Sequence, residues 1–189
     1  MKSIVIFASG TGTNADNIMR FFENHRIGRI VAVFSNKAEA GVVEKAKSHH
    51  VPVEIFTKVE LEEGRVAILL QKYRPDLIVL AGFLLKLPAH LIQQFPDKII
   101  NIHPALLPHY GGHGMYGMNV HHAVLANKEK QTGISVHYVN EHYDDGAIIC
   151  QKSVDIQDCS NAEEIAGRVH TLEHRFFPEI IESVITSGE

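Results

Sequence analysis

Cysteine is nearly missing: Cys150 and Cys159 are the only two in 189 residues. Two thiols cannot build a disulfide scaffold or a four-thiolate zinc site. The address expected of such a chain is the reducing cytosol. Long apolar runs are missing as well, and none approaches the roughly 18 residues that a membrane-spanning helix requires. The short run Ile4-Val5-Ile6-Phe7-Ala8 leads directly into Ser9-Gly10-Thr11-Gly12 and reads as a first strand, not as a secretory signal. Nor is one sign of charge in excess. Lys+Arg is 18 and Asp+Glu is 22, a formal net charge of −4. That balance lacks the broad positive field that nucleic acids or anionic membranes reward, so neither is an expected partner, although a local anion site remains open. Internal repeats, low-complexity tracts and linkers are absent too. Residues 1–189 therefore read as one domain, large enough to bury its own core.

What is present is an alternation of strand-length apolar runs with helix-period segments. Strands are expected over Ser3–Ala8, Ile30–Phe34, Val51–Phe56, Leu77–Ala81 and Lys98–Ile102. Ile4-Val5-Ile6-Phe7 and Leu77-Ile78-Val79-Leu80 are apolar at every position, as central parallel strands covered on both faces are. Helical patterns fill the intervals Ala15–Asn24, Ala38–His49, Val59–Tyr73 and Pro88–Gln94. This predicts an α/β fold with a mostly parallel open sheet flanked by helices and joined by right-handed crossovers. After Pro104 the pattern changes. A loop rich in Pro, Gly and His covers 104–117, and a short helix is expected over Met118–Asn127. Gly133–Val139 and Ala147–Val154 then form an antiparallel strand pair joined through Asn140–Gly146. A last helix begins near Asn161, with Pro178 placed to bend or divide it.

Two segments carry candidate chemistry. Ser9-Gly10-Thr11-Gly12-Thr13-Asn14 lies between the first strand and the first helix. Glycines permit a tight turn and close approach to a ligand, and a helix N-terminus offers free N–H groups. The segment is either a phosphate cradle or a plain turn with a polar cap. It lacks the third glycine of a dinucleotide fingerprint, and Ser35-Asn36-Lys37 stands where an acidic residue would follow the second strand. No Gly-Lys-Ser/Thr loop is present either, so a phosphorylated small substrate fits better than NAD or ATP. In Ile99-Ile100-Asn101-Ile102-His103-Pro104, residues two apart share a strand face. Asn101 and His103 therefore point together at a strand's carboxyl end, where open α/β sheets bind ligands. An imidazole can move protons and an amide can donate to an oxyanion; both can equally hold loop carbonyls. Asp144 and Asp145, in His142-Tyr143-Asp144-Asp145-Gly146, are candidate carboxylate partners, with ordinary turn chemistry as the simpler explanation. His137 is a further candidate for the same cleft. His170 and His174 stand four apart on a helix but have no evident third ligand, so no metal is expected.

Taken together, Ala8-Ser9-Gly10-Thr11-Gly12-Thr13-Asn14, Phe34-Ser35-Asn36-Lys37, Leu80-Ala81-Gly82-Phe83, Asn101-Ile102-His103-Pro104-Ala105-Leu106-Leu107-Pro108, Ser135-Val136-His137 and Asp144-Asp145-Gly146 form an ordered set. Over nearly its full length the chain resembles the phosphoribosylglycinamide formyltransferases, the folate-dependent formyltransferases of purine synthesis. The resemblance implies the formyltransferase fold and transfer of the formyl group of 10-formyltetrahydrofolate, the co-substrate, to the amine of 5-phosphoribosylglycinamide. It implies Asn101, His103 and Asp144 as the catalytic trio, the imidazole being protonated with its pKa raised by Asp144. It places the substrate on Gly12, Thr13, Asn14 and Glu173, and the folate against Leu84, Leu85, Lys86, Leu87 and Asn101. The partners it implies are small molecules, with the protein a monomer or homodimer.

The chain departs from the resemblance in three places. Family members often carry Met-Arg or Met-Lys after Ala-Gly-Phe, where Leu84-Leu85 and then Lys86 stand here. An arginine common before the third helix has no counterpart near Lys58–Glu63, and the loop Gly111–Gly117 is longer than in many relatives. The rival readings are a formyltetrahydrofolate hydrolase, a formyltransferase acting on charged initiator tRNA, and a non-catalytic nucleotide- or folate-binding module. The first usually has an added N-terminal domain and the second an RNA-binding C-terminal one. A chain whose first strand opens at Lys2 and which ends at Glu189 is expected to be neither. A pure binder would not need Asn101, His103 and Asp144 together.

Overall fold

The two runs without a polar position become neighbours at the centre of the sheet. In the computed structural model, which describes residues 1–187, the order is β1(Lys2–Phe7), α1(Thr13–Phe22), β2(Gly28–Ser35), α2(Gly41–Ser48), β3(Val53–Ile55), α3(Lys58–Glu62), α4(Arg65–Tyr73) and β4(Leu77–Leu80). There follow α5(Ala89–Gln94), β5(Ile99–His103), α6(Met118–Ala126), β6(Gln131–Tyr138), β7(Ile148–Asp155) and α7(Ala162–Ser187). The strands hydrogen-bond in the order β3-β2-β1-β4-β5-β6-β7. β1 to β5 run parallel, while β6 is antiparallel to both β5 and β7. The fold is the expected mostly parallel α/β sheet with an antiparallel strand pair added at one side.

Alternation along β1 divides the core in two. Ile4 and Ile6 pack with Ile18, Val42, Val120, Val169 and Phe177 from α1, α2, α6 and α7. Val5 and Phe7 face the other way, onto Leu61, Leu70 and Leu91 from α3, α4 and α5. There Phe7 stacks on Phe34 with centroids 4.9 Å apart. Each such ring, fully buried, contributes about 1.5–3 kcal/mol relative to exposure.

Two local expectations change. Val59–Tyr73 forms two helices rather than one. Thr57 and Glu60 close a capping box on α3, and Gly64, at φ 88°, turns the chain before α4. The apolar period persists across the break because both short helices bury one face on the same sheet. Conversely, Pro178 does not divide α7, which continues to Ser187. Phe177, Ile180 and Ile181 are buried around it. Their burial offsets the roughly 3 kcal/mol that an interior proline costs a helix. Asn161 caps α7 as expected, its Oδ1 accepting from the Glu164 amide at 2.9 Å.

Candidate active site

From β1 the chain crosses to β2 on one side; from β4 it crosses to β5 on the other. The sheet therefore has its topological switch between β1 and β4, where a crevice opens beyond the strands' carboxyl ends. The turns after β1, β4 and β5 all reach that edge and wall a cleft of about 850 Å³.

At one end lies the glycine-rich turn. Gly12 is the N-cap of α1 at φ 73°, and no side chain caps the helix. The first-turn amides are thus left for an outside acceptor, the condition an anion site requires. Thr11, Thr13 and Asn14 are on the cleft wall; Gly12 is not. Gly12 lies against α2, where a Cβ would stand 2.6 Å from Val42 Cβ, so its work is to turn the chain. Asn14 Nδ2 donates to Glu173 Oε2 at 2.9 Å, joining two of the expected substrate residues. Burial raises the Glu173 carboxyl above its ordinary pKa, against the pull of that hydrogen bond. Among the described residues Asn14 Oδ1 has no partner.

In the middle of the cleft, β5 presents Asn101 and His103. Pairing with antiparallel β6 sets Asn101 opposite His137 and His103 opposite Ser135. His137 Nδ1 lies 2.8 Å from the Tyr138 carbonyl, which makes it the protonated nitrogen. Nε2 is then the acceptor for Asn101 Nδ2, 3.1 Å away. One amide hydrogen of Asn101 is committed to His137 and the second is free for the cleft. His103 is only 3% exposed. Its Nε2 donates to the Tyr110 carbonyl at 2.7 Å, and its Nδ1 lies 3.5 Å from Asp144 Oδ2.

Asp144, not Asp145, faces both histidines; its Oδ1 is 3.6 Å from His137 Nε2. Its Oδ2 accepts from the Gly112 amide at 3.0 Å, tying the turn to the 111–117 loop. The turn reaches this far because Gly146 packs on the Tyr138 carbonyl, where a Cβ would come within 1.7 Å of the oxygen. Burial alone would raise the Asp144 carboxyl, but His137, His103 and the Gly112 amide together hold it below its usual range.

At the imidazole, burial opposes the expected effect of Asp144. Burial pushes the His103 pKa below its ordinary value, and Asp144 and the Tyr110 carbonyl only partly restore it. The Nε2 hydrogen points to the Tyr110 carbonyl, and Nδ1 faces Asp144.

The segment after β4 forms the opposite wall. Leu84, Leu85, Lys86 and Leu87 all line the cleft, together with Asn101. The Leu84 amide donates to Ser9 Oγ at 3.0 Å, and Ser9 Oγ donates to Asn36 Oδ1 at 2.6 Å. The glycine turn and this wall are thereby held in fixed relation.

Sequence reasoning assigned no role in the cleft to several contributors. Ser135 is fully buried, and its hydroxyl donates to the Ala105 carbonyl while accepting from the Leu107 amide and Gln151 Nε2. It fixes the turn after β5; its place one β-period before His137 was the available signal. His121 also lines the cleft, 6% exposed, with Nδ1 lacking a partner among the described residues. His170 Nε2 is 3.0 Å from Thr13 Oγ1. The His170 and His174 rings are 4.0 Å apart. Among the described residues no three His, Cys, Asp or Glu side chains converge as a metal site, and no helix is long and apolar enough to cross a membrane.

Comparison with known proteins adds the following. Residues 2–181 match the family model described as formyl transferase. The chain is 37% identical over 190 residues to the chloroplastic phosphoribosylglycinamide formyltransferase of Arabidopsis thaliana, covering 97% of this chain and 65% of that protein. It thus spans less than two thirds of the plant protein's length. The phosphoribosylglycinamide formyltransferase of Bacillus subtilis is 35% identical over 191 residues, with 98% of this chain and 95% of that protein covered. Among solved structures, that of the Brucella melitensis phosphoribosylglycinamide formyltransferase superposes with a TM-score of 0.88 at 34% identity, over 97% of this chain and 95% of that one. The corresponding protein of Anaplasma phagocytophilum gives a TM-score of 0.90 at 30% identity, over 98% and 88%.

Proposed function

The chain belongs to the formyl transferase family, and from that premise we propose that it transfers the formyl group of 10-formyltetrahydrofolate to the amino group of 5-phosphoribosylglycinamide. The products are 5-phosphoribosyl-N-formylglycinamide and tetrahydrofolate, a step of purine (IMP) synthesis. The observation that carries this reading is the convergence of Asn101, His103 and Asp144 in one cleft whose far end is an uncapped helix N-terminus. The substrate phosphate sits on the first turn of α1, against Thr13 and Asn14, with Glu173 beside its sugar-glycinamide portion. The folate lies along Leu84–Leu87 with its formyl carbon below Asn101. Both partners are small molecules, and the setting is the cytosol.

In this arrangement the amine attacks the formyl carbon, and the carbonyl electron pair moves to oxygen. The free hydrogen of the Asn101 amide donates to that oxyanion. Preorganised donors of this kind are worth about 3–4 kcal/mol in the barrier. His103 Nδ1, bare in the neutral ring, takes the proton that the attacking nitrogen loses. Asp144, 3.5 Å away, stabilises the imidazolium so formed. The ring then returns the proton to N10 of the folate as the carbon–nitrogen bond breaks. Burial of His103 favours the uncharged base before attack, and the carboxylate acts once the charge has appeared.

The experiment is a spectrophotometric assay of tetrahydrofolate release from 10-formyltetrahydrofolate, with and without the ribonucleotide. Release that requires the ribonucleotide supports transfer. Release indifferent to it supports hydrolysis, and no release in either case returns the chain to a binding role.

A further inference from the structure

β1 has β2 and β4 as its two neighbours, and Ser9 lies just beyond it, where the carboxyl ends of all three strands meet. The residue is 2% exposed. A hydroxyl has one hydrogen to give and lone pairs to accept with. Here the hydrogen goes to Asn36 Oδ1, beyond β2, at 2.6 Å, and a lone pair accepts from the Leu84 amide, beyond β4, at 3.0 Å. The Ser9 amide in turn donates to the Gly82 carbonyl at 3.1 Å. Asn36 stands where a dinucleotide fold keeps an acidic residue for its cofactor. In this chain it aims a buried hydroxyl instead.

The wall after β4 depends on that hydroxyl. Phe83–Leu87 belongs to no helix or strand. Among the described residues, Ser9 Oγ is the single hydrogen-bond partner that any backbone amide of this segment finds. Apolar contacts hold its two ends: the Phe83 ring lies 5.2 Å from Phe7 and 6.0 Å from Phe56, and Leu87 is buried. The cleft-facing residues between them have only the Leu84 amide to fix their backbone.

We propose that Ser9 and Asn36 are positioning residues of the transfer: they lock the wall after β4 to the glycine turn and so set the separation of the two bound substrates. The inference rests on the functional reading above and deepens it. The ribonucleotide is held by the turn after β1 and the formyl donor by the turn after β4. The attacking nitrogen and the carbon it attacks therefore ride on different segments. Reaction needs such atoms about 3–3.5 Å apart and aligned, and a misplacement of about 1 Å can lower the rate roughly a hundredfold. Neither Ser9 nor Asn36 is on the cleft wall. Their effect passes through the wall and not through contact with a substrate.

The test compares Ser9→Ala, Asn36→Ala and Asn36→Asp with wild type. Tetrahydrofolate release at saturation gives kcat. Calorimetry gives the Kd of the ribonucleotide alone and of a non-reactive donor analogue alone. Ser9→Ala lowers kcat about ten- to a hundredfold, while each Kd moves less than about threefold, because each subsite keeps its own anchors. Asn36→Ala leaves the hydroxyl in place but unaimed and lowers kcat in the same direction. Asn36→Asp keeps an acceptor oxygen for the hydroxyl and restores kcat. If Ser9→Ala does not fold, the two Asn36 variants decide. Unchanged kcat in the alanine variants overturns the proposal. So does a fall in kcat matched by equal weakening of both ligands, the mark of a disordered site, or an Asn36→Asp variant as slow as Asn36→Ala. Wild-type protein that binds both ligands but releases no tetrahydrofolate overturns the functional reading, and this proposal with it. Wild-type protein that turns over while the alanine variants match it overturns the proposal alone.

Discussion

Replacing Asp144 with Asn keeps the shape of the side chain and removes its charge. Asp144 Oδ2 is 3.5 Å from His103 Nδ1, and its side chain is only 12% exposed. At an effective dielectric of about 20, a unit charge pair at 3.5 Å interacts by about 5 kcal/mol. That is a ceiling, because the Asn dipole still favours the imidazolium and water reaches the mouth of the cleft. A loss of about 2–4 kcal/mol in the barrier remains, equivalent to a roughly 30- to 1000-fold fall in kcat. The interaction exists only after the proton has moved, so KM for the ribonucleotide should change by less than about threefold. The assay is steady-state tetrahydrofolate release at saturating donor across ribonucleotide concentrations. Turnover of Asp144→Asn within about threefold of wild type would refute the claim that the carboxylate stabilises a charge formed on His103.

Three further outcomes follow from the same geometry. Asn101→Ala removes the oxyanion donor and should lower kcat by about 10²–10³ with modest change in KM, as should His103→Ala through loss of the base. Near-normal turnover in either variant removes that residue from the mechanism. Gly146→Ala drives a Cβ to within 1.7 Å of the Tyr138 carbonyl oxygen. Thermal unfolding should show a loss of about 1–3 kcal/mol, and displacement of Asp144 should lower kcat as well; unchanged stability and rate would contradict the packing. The fourth outcome concerns acid. Burial is the largest cause lowering the pKa values of His103, His121, His170 and His174. An imidazole whose folded pKa lies below its unfolded value of about 6.5 leaves the unfolded chain binding more protons as pH falls. Their stabilisation is complete above that value and is lost on acidification through the window beneath it. Glu173, raised by burial, acts with the opposite sign. Four imidazoles against one carboxyl predict a urea midpoint that falls between pH 7 and 5.5, and a flat or rising midpoint would contradict the balance.

The parts of the site that could be read from the sequence obey short-range rules. Period two put Asn101 and His103 on one face, and the continuous apolar runs placed β1 and β4 at the sheet centre. The glycine turn could be located for the same reason, since a βα junction is a local event. What escaped depends on chain returning from far away. The Tyr110 carbonyl that accepts from His103 Nε2 comes from an irregular loop, and the burial that lowers the His103 pKa comes from several elements at once. His121 and His170 reach the cleft from helices whose rotation is set by packing. The choice between Asp144 and Asp145 turned on one residue of register in a tight turn. Neither the break at Gly64 nor the continuity through Pro178 was legible. At Pro178 tertiary burial decided against the local preference, whereas at Gly64 the local turn was masked by an apolar period that runs on through both helices.

The most direct measurement follows the carbon itself. A donor carrying ¹³C in its formyl group is incubated with enzyme and ribonucleotide, and the label is located by NMR. Label appearing on the glycinamide nitrogen, at a rate that collapses in Asn101→Ala, is the predicted result; label accumulating as formate, or unmoved, would contradict the assignment of this cleft to formyl transfer.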